Sequence, residues 1–305
     1  MDQNGISHLS GRAPRLALED IVRDPNLPAA RKTYLDGLLA VYGDHPFLVR
    51  LLIEAGRLSI FQMIATLEAA QDPARRETWL TVGRLKEKML AYGLGSGRHV
   101  DDLIGRLCAV GFLALRPSDR DRRIRILTAA ETLWAHHRDW LAAHFAPLAV
   151  LYPQHGYESV LRRDPAFHHH FRRAGAETLP LGAMLFLAAP DMLLFLRHAG
   201  GLMVLAALLR AAMSGGSGTH AAVPYGDLGE RFGISRTHVR RLLSDAAAAG
   251  LVRLHARGGR CVELLPRLWA SFDRGMATGM QINDLVYAAA SVRREAASAM
   301  MVRAV

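Results

Sequence analysis

Two stretches of this 305-residue chain share one skeleton. "SGRHVDDLIGRLCAVGFL", Ser96 to Leu113, and "SRTHVRRLLSDAAAAGLV", Ser235 to Val252, both read Ser, two residues, His-Val, two charged residues, Leu-Ile or Leu-Leu, then Gly twelve residues after the histidine. Ser96, His99 and Gly111 match Ser235, His238 and Gly250 at a constant offset of 139 residues. Upstream, Ala55-Gly56 pairs with Ala199-Gly200 at an offset of 144, and downstream Leu133-Trp134 pairs with Leu268-Trp269 at 135. The offset changes only across turn-rich segments, where insertions are tolerated. Self-similarity of this kind predicts one unit used twice, in a chain long enough for each copy to bury a core.

Each copy reads in the same order. A long apolar helix is expected first, about Phe47 to Ala70 and Met192 to Met213. A polar turn follows ("QDPARR", "SGGSGTH"), then a short helix near Thr81 to Ala91 or Tyr225 to Phe232, a glycine-containing turn and the repeated helix. Ser96 and Ser235 are natural N-caps, and Gly111 and Gly250 stand where a left-handed residue ends a helix. Val100, Leu103, Ile104 and Leu107 fall on one face, as do Val239, Leu242, Leu243 and Ala246. Two short strands around a charged tip come next, "FLALRPSDRDRRIRILT" and "LVRLHARGGRCVELL". Further helices at Arg31 to Tyr42, His136 to Leu151 and Gly275 to Ala299 are expected to join the two units.

With its apolar face committed to the core, the first repeated helix turns Arg98, His99, Asp102 and Arg106 outward, and the second turns out Arg236, Thr237, His238 and Arg241. A helix in a DNA major groove needs N-terminal side chains that reach base edges, and arginine suits guanine. A solvated amphipathic helix would show a charged face too. Two copies, each followed by a basic hairpin, favour DNA. Arg116, Arg120, Arg122, Arg123 and Arg125 crowd the first hairpin against Asp119 and Asp121; Arg253, Arg257 and Arg260 mark the second, which looks poor in balancing acid. Arginine at a narrow tip can enter a minor groove, where the negative potential is strongest.

"RDRRIRILTAAE", Arg120 to Glu131, resembles the wing and following helix start of the MarR family of winged-helix transcription regulators. The likeness covers about Phe47 to His144. The second copy, Met192 to Gly279, keeps the order of elements but has Leu265-Pro266 where that family has Leu-Thr. Members act as homodimers with one such domain per subunit, so the resemblance implies a fused, pseudo-dimeric regulator.

The remaining features narrow the function. A net charge of +10 suits a polyanionic partner. The apolar stretch from Leu179 to Met213 is interrupted by Pro190, Asp191, Arg197 and His198, so buried helices rather than a membrane span are expected. Cys108 and Cys261 form no CxxC pair, and Cys108 is read as a small apolar core residue. The N-terminus lacks the apolar run of a signal peptide, which points to the cytoplasm. "HHH" at His168 to His170 cannot chelate one ion well, because consecutive helical residues point about 100° apart. His137 and His144 share a face, but no cysteine or carboxylate at ligand spacing joins them, so no metal site or cofactor is expected. "GLGSG" and "SGGSG" lack the ending of a phosphate loop, and no GxSxG or HExxH occurs, so no enzyme is expected.

The expected fold is mainly α: two winged helix-turn-helix domains with small β-wings, joined by a helical pseudo-dimer core. Its expected divisions are an N-terminal arm (1–46), a first winged domain (47–150), a linker (151–189), a second winged domain (190–270) and a C-terminal helical region (271–305). The expected function is sequence-specific binding of double-stranded DNA as a transcription regulator, with repression as its mode, acting as a monomeric pseudo-dimer or a homodimer. Arg98, His99, Arg236, Thr237, His238, Arg240 and Arg241 are the candidate recognition-helix contacts; His238 and Arg241 are assigned to bases and Arg240 to a phosphate. Arg120, Arg122, Arg123, Arg257 and Arg260 are the candidate wing contacts. A small-molecule effector, if one acts, would sit between the long helices and a winged domain. The alternatives are a plasmid-type replication initiator with tandem winged helices, and a winged-helix protein-interaction subunit of a chromosome-organising complex.

Overall fold

The computed structural model describes residues 15–43, 45–91, 97–119, 121–178, 188–215, 218–256 and 260–303. The Ser96 cap and the tip residues Arg120 and Arg257 lie outside them. The described chain is mainly α-helical with two small antiparallel sheets.

Helices α1 (Leu18–Arg23) and α2 (Leu27–Tyr42) lead into α3 (Pro46–Leu52), α4 (Ala55–Ala69), α5 (Val82–Ala91) and α6 (Gly97–Ala109). The β1–β2 hairpin (Leu113–Pro117, Arg125–Ala129) and α7 (Glu131–Leu151) follow. The later residues form α8 (Glu158–Leu161), α9 (Pro165–Thr178), α10 (Met192–Leu196), α11 (Gly201–Ser214), β3 (His220–Ala221), α12 (Tyr225–Phe232), α13 (Arg236–Ala248), β4 (Val252–Ala256), β5 (Cys261–Leu264) and α14 (Pro266–Arg303).

Both long apolar helices expected from sequence are in fact pairs of helices. At the first break Glu54 is extended (φ −153°, ψ 142°), and at the second Gly200 is left-handed (φ +72°). The breaks meet: the Gly200 N–H donates to the Ile53 carbonyl at 2.8 Å. The two breaks rest on this contact between residues far apart in the chain, which hydropathy does not encode.

The repeated helices α6 and α13 do form. Their apolar sets are buried, with Val100, Leu103, Leu107, Val239, Leu242, Leu243 and Ala246 fully enclosed. Ser235 caps α13, its Oγ accepting from the His238 N–H at 3.1 Å. Both helices end in the same turn: Phe112 N–H donates to Leu107 and Leu251 N–H to Ala246, each at 2.9 Å, with Gly111 and Gly250 left-handed. In the first sheet β1 pairs with β2, with Leu115 opposite Leu127. The second runs β3-β5-β4, with His220 and Arg253 both opposite Glu263. One backbone bond recurs beside each hairpin, Leu127 N–H to Leu80 O (2.8 Å) and Leu264 N–H to Thr219 O (2.7 Å).

The long helices pack reciprocally. Helix α2 lies on α7 and α11, whereas α9 lies on α14 and α4; α1 packs on α14, and α8 on α7. The Arg31 guanidinium of α2 stands 5.0 Å from the ring centre of Trp269, and that of Arg172 in α9 stands 3.5 Å from Trp134. Arg31 also bonds Asp273 (2.6 Å), and Arg172 bonds Glu68 (3.2 Å). The buried side chains form one continuous cluster from Leu16 to Ala290. Three expected boundaries fall inside helices, since 46/47 cuts α3, 150/151 cuts α7 and 270/271 cuts α14. Among the described residues no helix is long and apolar enough to cross a membrane.

Candidate nucleic-acid interface

Helix α13 presents a basic outer face. It packs on α12 through its apolar stripe, so the first-turn side chains opposite that stripe are left in water. Arg236, Thr237, Arg240 and Arg241 are exposed. Among the described residues no carboxylate lies within ion-pair distance of Arg236, Arg240 or Arg241. Their guanidinium charge is therefore available to an external anion, in a geometry suited to bidentate bonding.

His238 departs from that set. It is half-buried, its ring centre 5.3 Å from that of His198 and its Nε2 enclosed beside the Ala199 backbone. Burial, together with the nearby His198 and Arg241, lowers its pKa. It sits at the third position of the helix, where the ring can fold back onto the segment preceding α11. The structure thus places the His238 ring half-buried against His198, unlike the exposed arginines beside it.

Helix α6 is electrostatically different. Arg98 is exposed and His99 half-buried. Asp101 is held by Lys86 of α5 at 2.7 Å and Asp102 by Arg106 at 3.1 Å, so the acidic pair of this helix is internally neutralised.

Beside it, the β1–β2 hairpin builds a basic cleft. Arg123 and Arg125 face Arg76, Arg84 and Lys88 across a space of about 730 Å³ that also holds Glu77 and Glu87. Arg122 and Arg123 are exposed. Asp121 shapes the tip, accepting the Arg123 backbone N–H at 3.0 Å. Arg76, Arg84 and Lys88 do not stand out in the sequence; their signal there is a charged turn and an amphipathic helix, which solvation alone would explain.

In the second hairpin Arg260 is exposed. Its supposed shortage of acid is corrected by Glu263, which takes Arg253 at 2.8 Å and His255 at 2.7 Å. The sequence-adjacent histidines have gone elsewhere. His137 Nδ1 lies 2.7 Å from His168 Nε2, and its Nε2 lies 3.0 Å from Gln62 Oε1; His144 bonds Tyr34 and the Trp140 carbonyl. Burial depresses their pKa values, to about 4 for His136 and His144 and to about 2 for His168. Cys108 is half-buried against the core, and burial raises its thiol pKa.

Comparison with protein-family models, with curated proteins and with solved structures finds no match to this chain, so its functional reading rests on these residues and their surroundings.

Proposed function

We propose that the chain is a sequence-specific, double-stranded-DNA-binding transcription regulator built as a fused pseudo-dimer of two winged helix-turn-helix units. The observation that carries the DNA reading is the α13 face, where Arg236, Arg240 and Arg241 are exposed with no carboxylate within ion-pair distance among the described residues. A solvated helix usually intersperses opposite charges on such a face; three unopposed arginines in the first two turns suit phosphates and guanine edges. Helices α6 and α13 would enter successive major grooves, and the two hairpins, with Arg122, Arg123 and Arg260, would track the adjacent backbone or minor groove.

The matching helix ends, the matching bonds beside the hairpins and the reciprocal packing of α2 and α9 favour duplication. A two-fold dimer contact is met twice with the partners exchanged. Here Arg31 meets Trp269 while Arg172 meets Trp134, the exchange expected when two former subunits occupy one chain.

Anisotropy titrations with labelled duplex DNA test this reading. Binding should weaken steeply with salt, with a log-log slope of about −0.9 per phosphate neutralised. A flat response would remove nucleic acid from consideration. Genomic fragments recovered from a bound pool should carry two unlike half-sites; clustered short repeats would indicate a replication initiator instead.

A further inference from the structure

The outer face of the second sheet gathers three metal-ligating side chains from three different strands. His220 on β3 is directly opposite Glu263 on β5, and His255 reaches the same carboxylate from β4. Among the described residues this is the one group of three or more histidine, cysteine, aspartate or glutamate side chains whose ligand atoms all lie within 4.8 Å of one another. The opposite face of the sheet is committed to the core through Ala221, Val252, Val262 and Leu264. The strand backbones are thereby anchored, while the outward side chains stay accessible from solvent.

We propose that His220, His255 and Glu263 form a binding site for a borderline transition-metal cation, with Zn²⁺ the best fit. Two imidazoles and one carboxylate are a donor set for zinc, nickel, cobalt or copper, and a poor one for magnesium or calcium, which want oxygen throughout. Ligand atoms around tetrahedral Zn²⁺ stand about 3.4 Å apart, given bonds of about 2.0–2.2 Å. Both histidines are exposed and Glu263 is half-buried, so side-chain rotation closes the difference without moving the backbone. The Thr219 hydroxyl lies 2.9 Å from His220 Nδ1, the outer-shell contact that sets ring orientation in metal sites.

Capture of the cation rearranges charge on the hairpin. Glu263 now bonds His255 Nε2 at 2.7 Å and Arg253 at 2.8 Å. The metal takes the place of the hydrogen between His255 and Glu263, the neutral ring carrying its one hydrogen on Nδ1 instead, and it competes with Arg253 for the carboxylate. The hairpin gains the charge of the ion and a released guanidinium. The site itself stands on the three ligands and does not depend on the DNA reading.

The test is titration of the full chain with Zn²⁺ against a chromophoric chelator, with Co²⁺ as a spectroscopic probe. The wild-type chain is expected to bind one Zn²⁺ saturably and to show visible Co²⁺ absorption of a low-coordinate site. His220→Asn, His255→Gln and Glu263→Gln should each weaken Zn²⁺ by at least about tenfold, with unchanged circular dichroism and melting. His169→Gln, an exposed histidine on α9, should bind as the wild type does. Absence of saturable Zn²⁺ binding to the wild type overturns the proposal. So does wild-type affinity in His255→Gln and Glu263→Gln, which would place any bound ion elsewhere.

Discussion

The Arg172 guanidinium lies over the indole of Trp134, 3.5 Å from the ring centre, in a position where its side chain is only 7% exposed. Its charge is met by Glu68, whose own burial raises its pKa against the lowering effect of Arg172. Breaking a buried pair by removing one partner leaves the other charge uncompensated. Arg172→Ala should therefore cost about 3 kcal/mol in chemical denaturation, because it strands the Glu68 carboxylate and loses the stacking on Trp134; Glu68→Gln, which strands the Arg172 guanidinium but keeps the stacking, should also destabilise, though less. A Glu68→Gln variant as stable as the wild type would mean that packing alone holds α9 on α4.

The unlike charge of α6 and α13 makes the proposed DNA contacts unequal. Changing Arg240 and Arg241 together to Ala should weaken binding markedly and lower the salt slope by about 0.9 for each phosphate left without its arginine. Asp101→Ala with Asp102→Ala should do the reverse, since it releases Lys86 and Arg106 from ion pairs and adds positive field near the duplex. Stability should hardly change, because exposed pairs contribute less than about 1 kcal/mol. Footprinting of the arginine variant, at concentrations that restore occupancy, should show weakened protection over one half-site. Symmetric weakening would indicate that two chains bind together.

Arg122 and Arg123 offer a cleaner separation of binding from folding. Both are exposed at the hairpin tip, and Asp121 holds the turn through the Arg123 backbone rather than through its side chain. Replacing both by Ala should weaken duplex binding while stability stays within about 0.5 kcal/mol. A collapsed melting temperature would assign these arginines to the fold instead.

The buried histidines of α7 and α9 make stability fall in acid. Their folded pKa values lie below the ordinary 6.5, at about 4 for His136 and His144 and about 2 for His168. The unfolded chain therefore takes up protons first. Their contribution is complete above pH 6.5 and is lost as pH falls toward those folded values, by up to about 1.4 kcal/mol per pH unit for each histidine. Urea midpoints measured from pH 7.5 to 4.5 should show this slope. His136→Phe should flatten it, because it keeps a ring against Tyr42 and Phe61 while removing a titrating group whose Nε2 is buried without a partner among the described residues. An unchanged slope would exclude His136 as a contributor.

Much of the fold was readable along the chain because it depends on neighbours three or four residues apart. The apolar spacing of Val100 to Leu107 and of Val239 to Ala246 marks an amphipathic helix whatever packs against it, and Gly111 and Gly250 end those helices for steric reasons of their own. The candidate arginines followed as the residues left outside that spacing. The rest depended on partners that no local period encodes. His238 is half-buried because His198, forty residues earlier, lies against it; Glu263 disposes of the supposed imbalance in the second hairpin because strand pairing brings it to Arg253 and His255. The breaks at Glu54 and Gly200 are joined by the bond from the Gly200 N–H to the Ile53 carbonyl, a pairing of distant residues that no local period encodes. Arg31 finds Trp269 and Arg172 finds Trp134 only once the helices cross, for burial sets how apolar a face must be while the shape of the facing surface sets which helix covers it.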